Sequence, residues 1–187
     1  MRQDIIDSLP DILKNNIDTL KNTSLDTTDN TYYMTNSEFT AINFDEVAKC
    51  YKDDKYLNYM PASNDALYIM DNSHFYFLEF KNGKIEEDNI RTKIYDSLFI
   101  LSDIKYNNGY KYINSIVEFS KSNIEYILIY NIEKHGKLSF NSHFQQKANK
   151  KTKSYGKVLK LKKFILKDIN FYSENEFKNK FVSKLKN

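Results

Sequence analysis

Cysteine occurs once in this chain, proline twice, glycine four times and tryptophan not at all. The lone Cys50 rules out an intrachain disulfide framework, fits a reducing, cytoplasmic setting and reads as a core residue. So little glycine and proline excludes a collagen-like or Gly/Pro-rich disordered chain. No apolar run approaches the ~20 residues of a membrane-spanning helix. The start, Met1 to Asp7, is polar at helical intervals and lacks the apolar block of a signal peptide. The three histidines, His74, His135 and His143, lack metal-ligand spacing and read as loop residues.

What is present suits one domain. The chain has 187 residues, 41% hydrophobic and 28% charged, enough to bury a core without staples. Its 15 Tyr and 13 Phe are spread through expected elements, which favours core packing over base stacking. The net charge of +3 conceals an asymmetry. Residues 147–187 carry 13 Lys against Asp168, Glu174 and Glu176, or +10, which leaves −7 on residues 1–146. A basic C-terminal segment on an acidic body points either to a polyanionic partner or to a solvated lysine-rich surface.

Apolar spacing predicts helix over 2–21, broken near Pro10, followed by a polar connector at 22–31. Residues 1–31 thus read as a helical N-terminal appendage. A helix is expected over 44–54, a short strand from Tyr56 to Met60, and a hairpin of strands 65–70 and 75–81 about a turn at 71–74. Asn82-Gly83 signals a turn before a long helix over 86–105, with Ile90, Ile94, Leu98, Leu101 and Ile104 as its apolar stripe. A helix near 110–120 precedes Ile124 to Tyr130, whose continuous apolar run suits a strand buried on both faces. Residues 131–156 read as a long loop. Strand-like alternation returns between Val158 and Tyr172, and Ser173 with Glu176 fits a capping box for a last helix facing inward through Phe177, Phe181, Val182 and Leu185. The fold class is mixed α/β (α+β).

The hairpin carries the chemistry. Strand side chains alternate, so Glu79 and Lys81 share one face while Leu78 and Phe80 take the other. Mg²⁺ or Mn²⁺ prefers oxygen ligands and is often held by one or two carboxylates, and Asp65 and Glu79 could supply them, with the Phe80 carbonyl completing the shell. Lys81 could orient an attacking water or neutralise developing charge. Whether Asp65 joins that face depends on turn length. A three-residue loop 72–74 sets Asp65 opposite Lys81, and a loop 71–73 sets it opposite Glu79. A two-residue loop 72–73 sets it opposite Phe80, on the wrong face, unless a bulge re-aims it.

Asp65, then Glu79-Phe80-Lys81 on the next strand, then a helix and a buried strand, resembles the PD-(D/E)XK (restriction-endonuclease-like) nuclease superfamily. The resemblance covers about residues 44–131 as an αβββαβ core, with the N-terminal helices and a basic strand–helix extension at 147–187 as additions. It implies Mg²⁺-dependent cleavage of nucleic acid, DNA first, with Asp65, Glu79 and Lys81 in the motif positions. Many members add an acid from the helix before the strands, for which Glu46 is the first match and Asp45 the second. The literal Pro-Asp pair is absent, since Pro61 lies four residues before Asp65. Many such nucleases act as homodimers. Arg91, Lys93 and Ser97 on the following helix, and Lys147, Lys150, Lys151 and Lys153 in the loop, are candidates for phosphate-backbone contacts. The alternative is a catalytically inactive scaffold of this kind serving as an immunity, antitoxin or nucleic-acid-binding protein.

Overall fold

In a computed structural model that describes residues 1–26, 31–135 and 155–186, alternating strand side chains are buried on both sides of one six-stranded sheet. Short N-terminal elements come first: α1 (Gln3–Asp7), α2 (Asp11–Lys14), β1 (Ile17–Thr19) and α3 (Leu20–Thr23). Then follow β2 (Thr40–Asn43), α4 (Phe44–Asp54), and the hairpin β3 (Ala66–Asp71) and β4 (His74–Lys81). Helices α5 (Glu87–Asp103) and α6 (Ile116–Asn123) lead to β5 (Ile124–Tyr130). After α7 (Ile132–His135) and α8 (Gly156–Leu159), the chain ends in β6 (Asp168–Ser173), α9 (Glu174–Lys180) and a 3-10 turn (Val182–Lys186). The fold class is α+β, as expected from the order of patterns.

Strand order follows chain order. The first four strands form an antiparallel meander, whereas β4–β5 and β5–β6 are parallel. Parallel neighbours cannot be joined by a tight turn, so α5 and α6 carry the crossover into β5. One sheet face buries Leu67, Phe75, Phe77, Tyr126 and Leu128 against Phe44, Val47, Ile90 and Ile94 from α4 and α5. The other buries Ala66, Leu78, Phe80, Ile127 and Ile129 against Phe177 and Phe181. Phe77 packs edge-to-face on Phe44 at 5.3 Å between ring centres, and Phe80 on Phe177 at 5.7 Å. Each fully buried aromatic of this kind contributes roughly 2–3 kcal/mol, so β4 is anchored from both sides.

Helix boundaries follow from caps. Asn43 Oδ1 accepts the Glu46 N–H at 3.2 Å and starts α4. Ser173 and Glu176 form the expected capping box that starts α9. Among the described residues no helix is long and apolar enough to cross a membrane.

Five expectations about the fold differ from the structure. Residues 56–60 form no strand: Tyr56 is 91% exposed with φ +53°, because the sheet position beside β3 is filled by β2, from residues 40–43. The αβββαβ order within 44–131 is therefore not reproduced, since the strand at that position precedes α4 instead of following it. Residues 2–21 break into three short helical pieces and a strand, and Ile5, Leu9 and Leu13 join the main core instead of forming an appendage. The alternation after Val158 gives a helical turn at 156–159, with the strand starting only at Asp168, and Cys50 is exposed on the outer side of α4. The bulk of the expected 131–156 loop, with Lys147, Lys150, Lys151 and Lys153, lies outside the described residues.

Candidate functional site

The hairpin turn has two residues, Asn72 and Ser73, between the paired Asp71 and His74. On its own that length would send Asp65 to the wrong face. The register, however, shifts between Ile69 and Asp71, with Met70 as the extra residue of a bulge, and continues as Ile69 opposite Phe75 and Ala66 opposite Leu78. One step further places Asp65 beside Glu79. The turn is fixed by the Asp71 carboxylate, which accepts the Ser73 N–H at 2.8 Å and contacts His74 Nδ1 at 2.8 Å.

Asp65 and Glu79 then converge on one cation. The Lys93 ammonium, from α5, lies 3.1 Å from Asp65 Oδ1 and 2.7 Å from Glu79 Oε1. Lys81 Nζ reaches the same Glu79 oxygen at 2.7 Å. The second oxygen of Asp65 accepts the Phe80 N–H at 2.6 Å. Phe80 thus enters the site through its amide N–H, not through the carbonyl expected of a metal ligand. Glu79 is fully buried, and its Oε2 has no hydrogen-bond partner. A buried, unsatisfied carboxylate oxygen is costly and calls for a proton, a water or a cation.

The loop before Asp65 is clamped by α5 and α4. Asp96 Oδ2 accepts the Ala62 N–H and Ser97 Oγ accepts the Asn64 N–H, each at 3.0 Å. Ser63 Oγ donates to Asp45 Oδ1 at 2.5 Å. Asp45, not Glu46, is the helix acid turned toward the cluster. Glu46, the first choice from the sequence, points to the surface and pairs with Lys49. The reason is helical phase: α4 buries Phe44, Val47, Ala48 and Tyr51, and Asp45 lies closer to that buried side near its N-terminus.

Electrostatics follow from burial. Burial first, and the neighbouring Asp65 second, push the Glu79 carboxyl up to about 7, against the opposing pull of Lys93 and Lys81. Burial and Asp65 likewise raise Asp45, with the Ser63 hydrogen bond working the other way. Burial alone would lower Lys93, but Asp65, Glu79 and Asp45 outweigh it and hold the ammonium well above its ordinary value. Behind the carboxylates, the buried Tyr126 hydroxyl lacks a partner and is raised by burial, Glu79 and Asp65.

Asp45, Asp65, Lys81 and Lys93 open onto a cleft of about 310 Å³ that Asp26 and Lys84 also line. Among the described residues, no group of three or more His, Cys, Asp or Glu side chains is arranged to hold a metal ion. Two carboxylates do meet at one point, however, and a small divalent cation completes its shell with water and phosphate oxygens. A Mg²⁺ or Mn²⁺ ion bound here would have to take the place of the Lys93 ammonium between Asp65 Oδ1 and Glu79 Oε1, since Glu79 Oε2 is buried behind them.

The other expected phosphate-binding residues are placed differently. Lys93 is only 17% exposed at its side chain and is committed to the carboxylates, and Ser97 is buried. Arg91 lies 3.6 Å from Asp88 and over the Tyr95 ring. Lys93 carried a signal in the sequence: it falls within the apolar stripe of α5, between Ile90 and Ser97, where a lysine must have a buried partner. Tyr126 and Ser63 carried none. Comparisons with protein-family models, with curated proteins and with solved structures each returned no match for this chain.

Proposed function

We propose that this chain is a metal-dependent phosphodiesterase of the PD-(D/E)XK type that hydrolyses nucleic acid, DNA in the first instance. The observation that carries the reading is the convergence of Asp65 and Glu79 on a single positive charge at 3.1 and 2.7 Å. A Mg²⁺ or Mn²⁺ ion held there would polarise the phosphodiester and lower the pKa of an attacking water. The chain's own residues supply the rest. Lys81, only 19% exposed at its side chain beside Glu79, lines the cleft and would neutralise charge developing on the phosphate. Asp45 holds Ser63 and so fixes the loop that delivers Asp65. The Phe80 N–H fixes the second Asp65 oxygen and leaves Oδ1 to the cation.

The test is cleavage of plasmid and single-stranded substrates with Mg²⁺ or Mn²⁺ by the full chain and by Glu79→Ala and Lys81→Ala, with folding checked by circular dichroism. The expected outcome is metal-dependent cleavage by the wild type, abolished in both variants. Unchanged cleavage by both folded variants refutes the reading.

A second reading is supported by one specific observation. Lys93 already neutralises both carboxylates, as it would in an inactive scaffold that binds nucleic acid or a toxin as an immunity or antitoxin protein. Calorimetric titration with Mn²⁺ separates the two: an Asp65-dependent heat favours the enzyme, and its absence favours the binding protein.

A further inference from the structure

We propose that the Lys93 ammonium is a built-in competitor for the divalent cation, so that metal enters only by displacing it from between Asp65 and Glu79. The inference rests on the phosphodiesterase reading and adds a regulatory contact to that site.

The geometry distinguishes Lys93 from its neighbour. Lys81 touches Glu79 alone, at 2.7 Å, whereas Lys93 spans both carboxylates from a different element. A cation that is to bridge Asp65 and Glu79 must take the oxygens that Lys93 now holds, Oδ1 of one and Oε1 of the other. The alternative entry, through Glu79 Oε2, is closed because that atom is buried with no exposed surface. Lys93 can leave without unfolding its helix. Its backbone is fixed by the neighbouring Asp96 and Ser97 contacts to Ala62 and Asn64, while its four-carbon stem lines the cleft. A third acid within electrostatic reach, Asp45, also lines that cleft and gives the displaced ammonium an acceptor there.

Two charge-assisted hydrogen bonds must break before metal replaces them, so deleting the ammonium should tighten metal binding about tenfold or more. The experiment is a calorimetric titration of the full chain with MnCl₂, comparing wild type, Lys93→Met, Lys84→Met and the double variant Lys93→Met/Asp65→Asn. Lys84 lines the same cleft but pairs with Glu86 and is 74% exposed, so its loss removes one charge without freeing the carboxylates. The expected result is tighter binding by Lys93→Met alone, lost again in the double variant. Binding seen only in Lys93→Met, with a silent wild type, makes Lys93 a permanent block instead of a competitor, favours the binding-protein reading and overturns the proposal. Equal tightening by Lys84→Met makes the effect one of general charge and overturns the proposal. Asp65-dependent binding of equal or lower affinity in Lys93→Met overturns it too, and leaves the phosphodiesterase reading standing. Absence of Asp65-dependent heat from every protein overturns both. If Lys93→Met does not fold by circular dichroism, Lys93→Gln, which keeps a donor without the charge, takes its place.

Discussion

Replacing Glu79 with glutamine should change the pH dependence of stability in a direction opposite to that of an ordinary ion-paired acid. A typical paired carboxylate has a depressed pKa and stabilises the fold as pH rises. Glu79 is raised instead, from 4.5 to about 7, because burial outweighs its two lysines. Between these values the native carboxyl holds a proton that the unfolded chain has released. The native state then binds more protons, and stability falls as pH increases. At ~1.4 kcal/mol per pH unit, the loss from this one group approaches roughly 3 kcal/mol across the window. Glutamine mimics the protonated acid in size and cannot ionise, so this contribution vanishes. Urea unfolding of wild type and Glu79→Gln at pH 5 and pH 8 measures it together with its coupled neighbours, since titrations remote from the cluster cancel in the difference. The variant should gain on the wild type by roughly 3 kcal/mol between the two conditions. A difference between the proteins that does not change with pH would refute the claim that burial dominates at Glu79. A wild type that gains on the variant as pH rises would mean that Lys81 and Lys93 win instead.

Two further outcomes follow from the surroundings of the cluster. Asp45→Ala removes the acceptor of Ser63 and an acid beside Asp65, and should lower cleavage at least tenfold, while Glu46→Ala leaves the rate within about twofold of wild type; initial rates on one plasmid substrate compare them. Ser173→Ala breaks the capping box of α9 and should cost about 1 kcal/mol in a denaturant melt without altering the Mn²⁺ titration, because α9 covers the sheet face opposite the carboxylates.

The readings that matched the structure rest on local patterns. Helix 44–54 and strand 124–130 coincide with α4 and β5 because their apolar spacing is written within each segment. Glu79 and Lys81 share a face for the same local reason. The rest depended on partners distant in the chain. Tyr56 to Met60 has the composition of a strand, but its place in the sheet belongs to residues 40–43, a competition that no window around residue 58 can display. The choice between Asp45 and Glu46 turned on one step of helical phase. Lys93 was visible as a charge inside an apolar stripe and was assigned to phosphate contacts, because the carboxylates that neutralise it come from two other elements.

The bulge at Met70 makes the site a matter of parity. A hairpin distinguishes only odd from even when it decides which side chains face inward. The two residues of the turn and the one extra residue of the strand together give the count that brings Asp65 beside Glu79. Excision of Met70 alone keeps Ile69 opposite Phe75, so a shorter and more regular hairpin would present the same acids. Loss of Asn72 or Ser73 gives the same count, because the bulged Met70 can move into register opposite His74 while Ile69 stays opposite Phe75. In this chain, then, the spare residue of the bulge lets the tip lose one position and keep its acids together, whereas a deletion between Asp65 and Ile69 turns Asp65 to the other face.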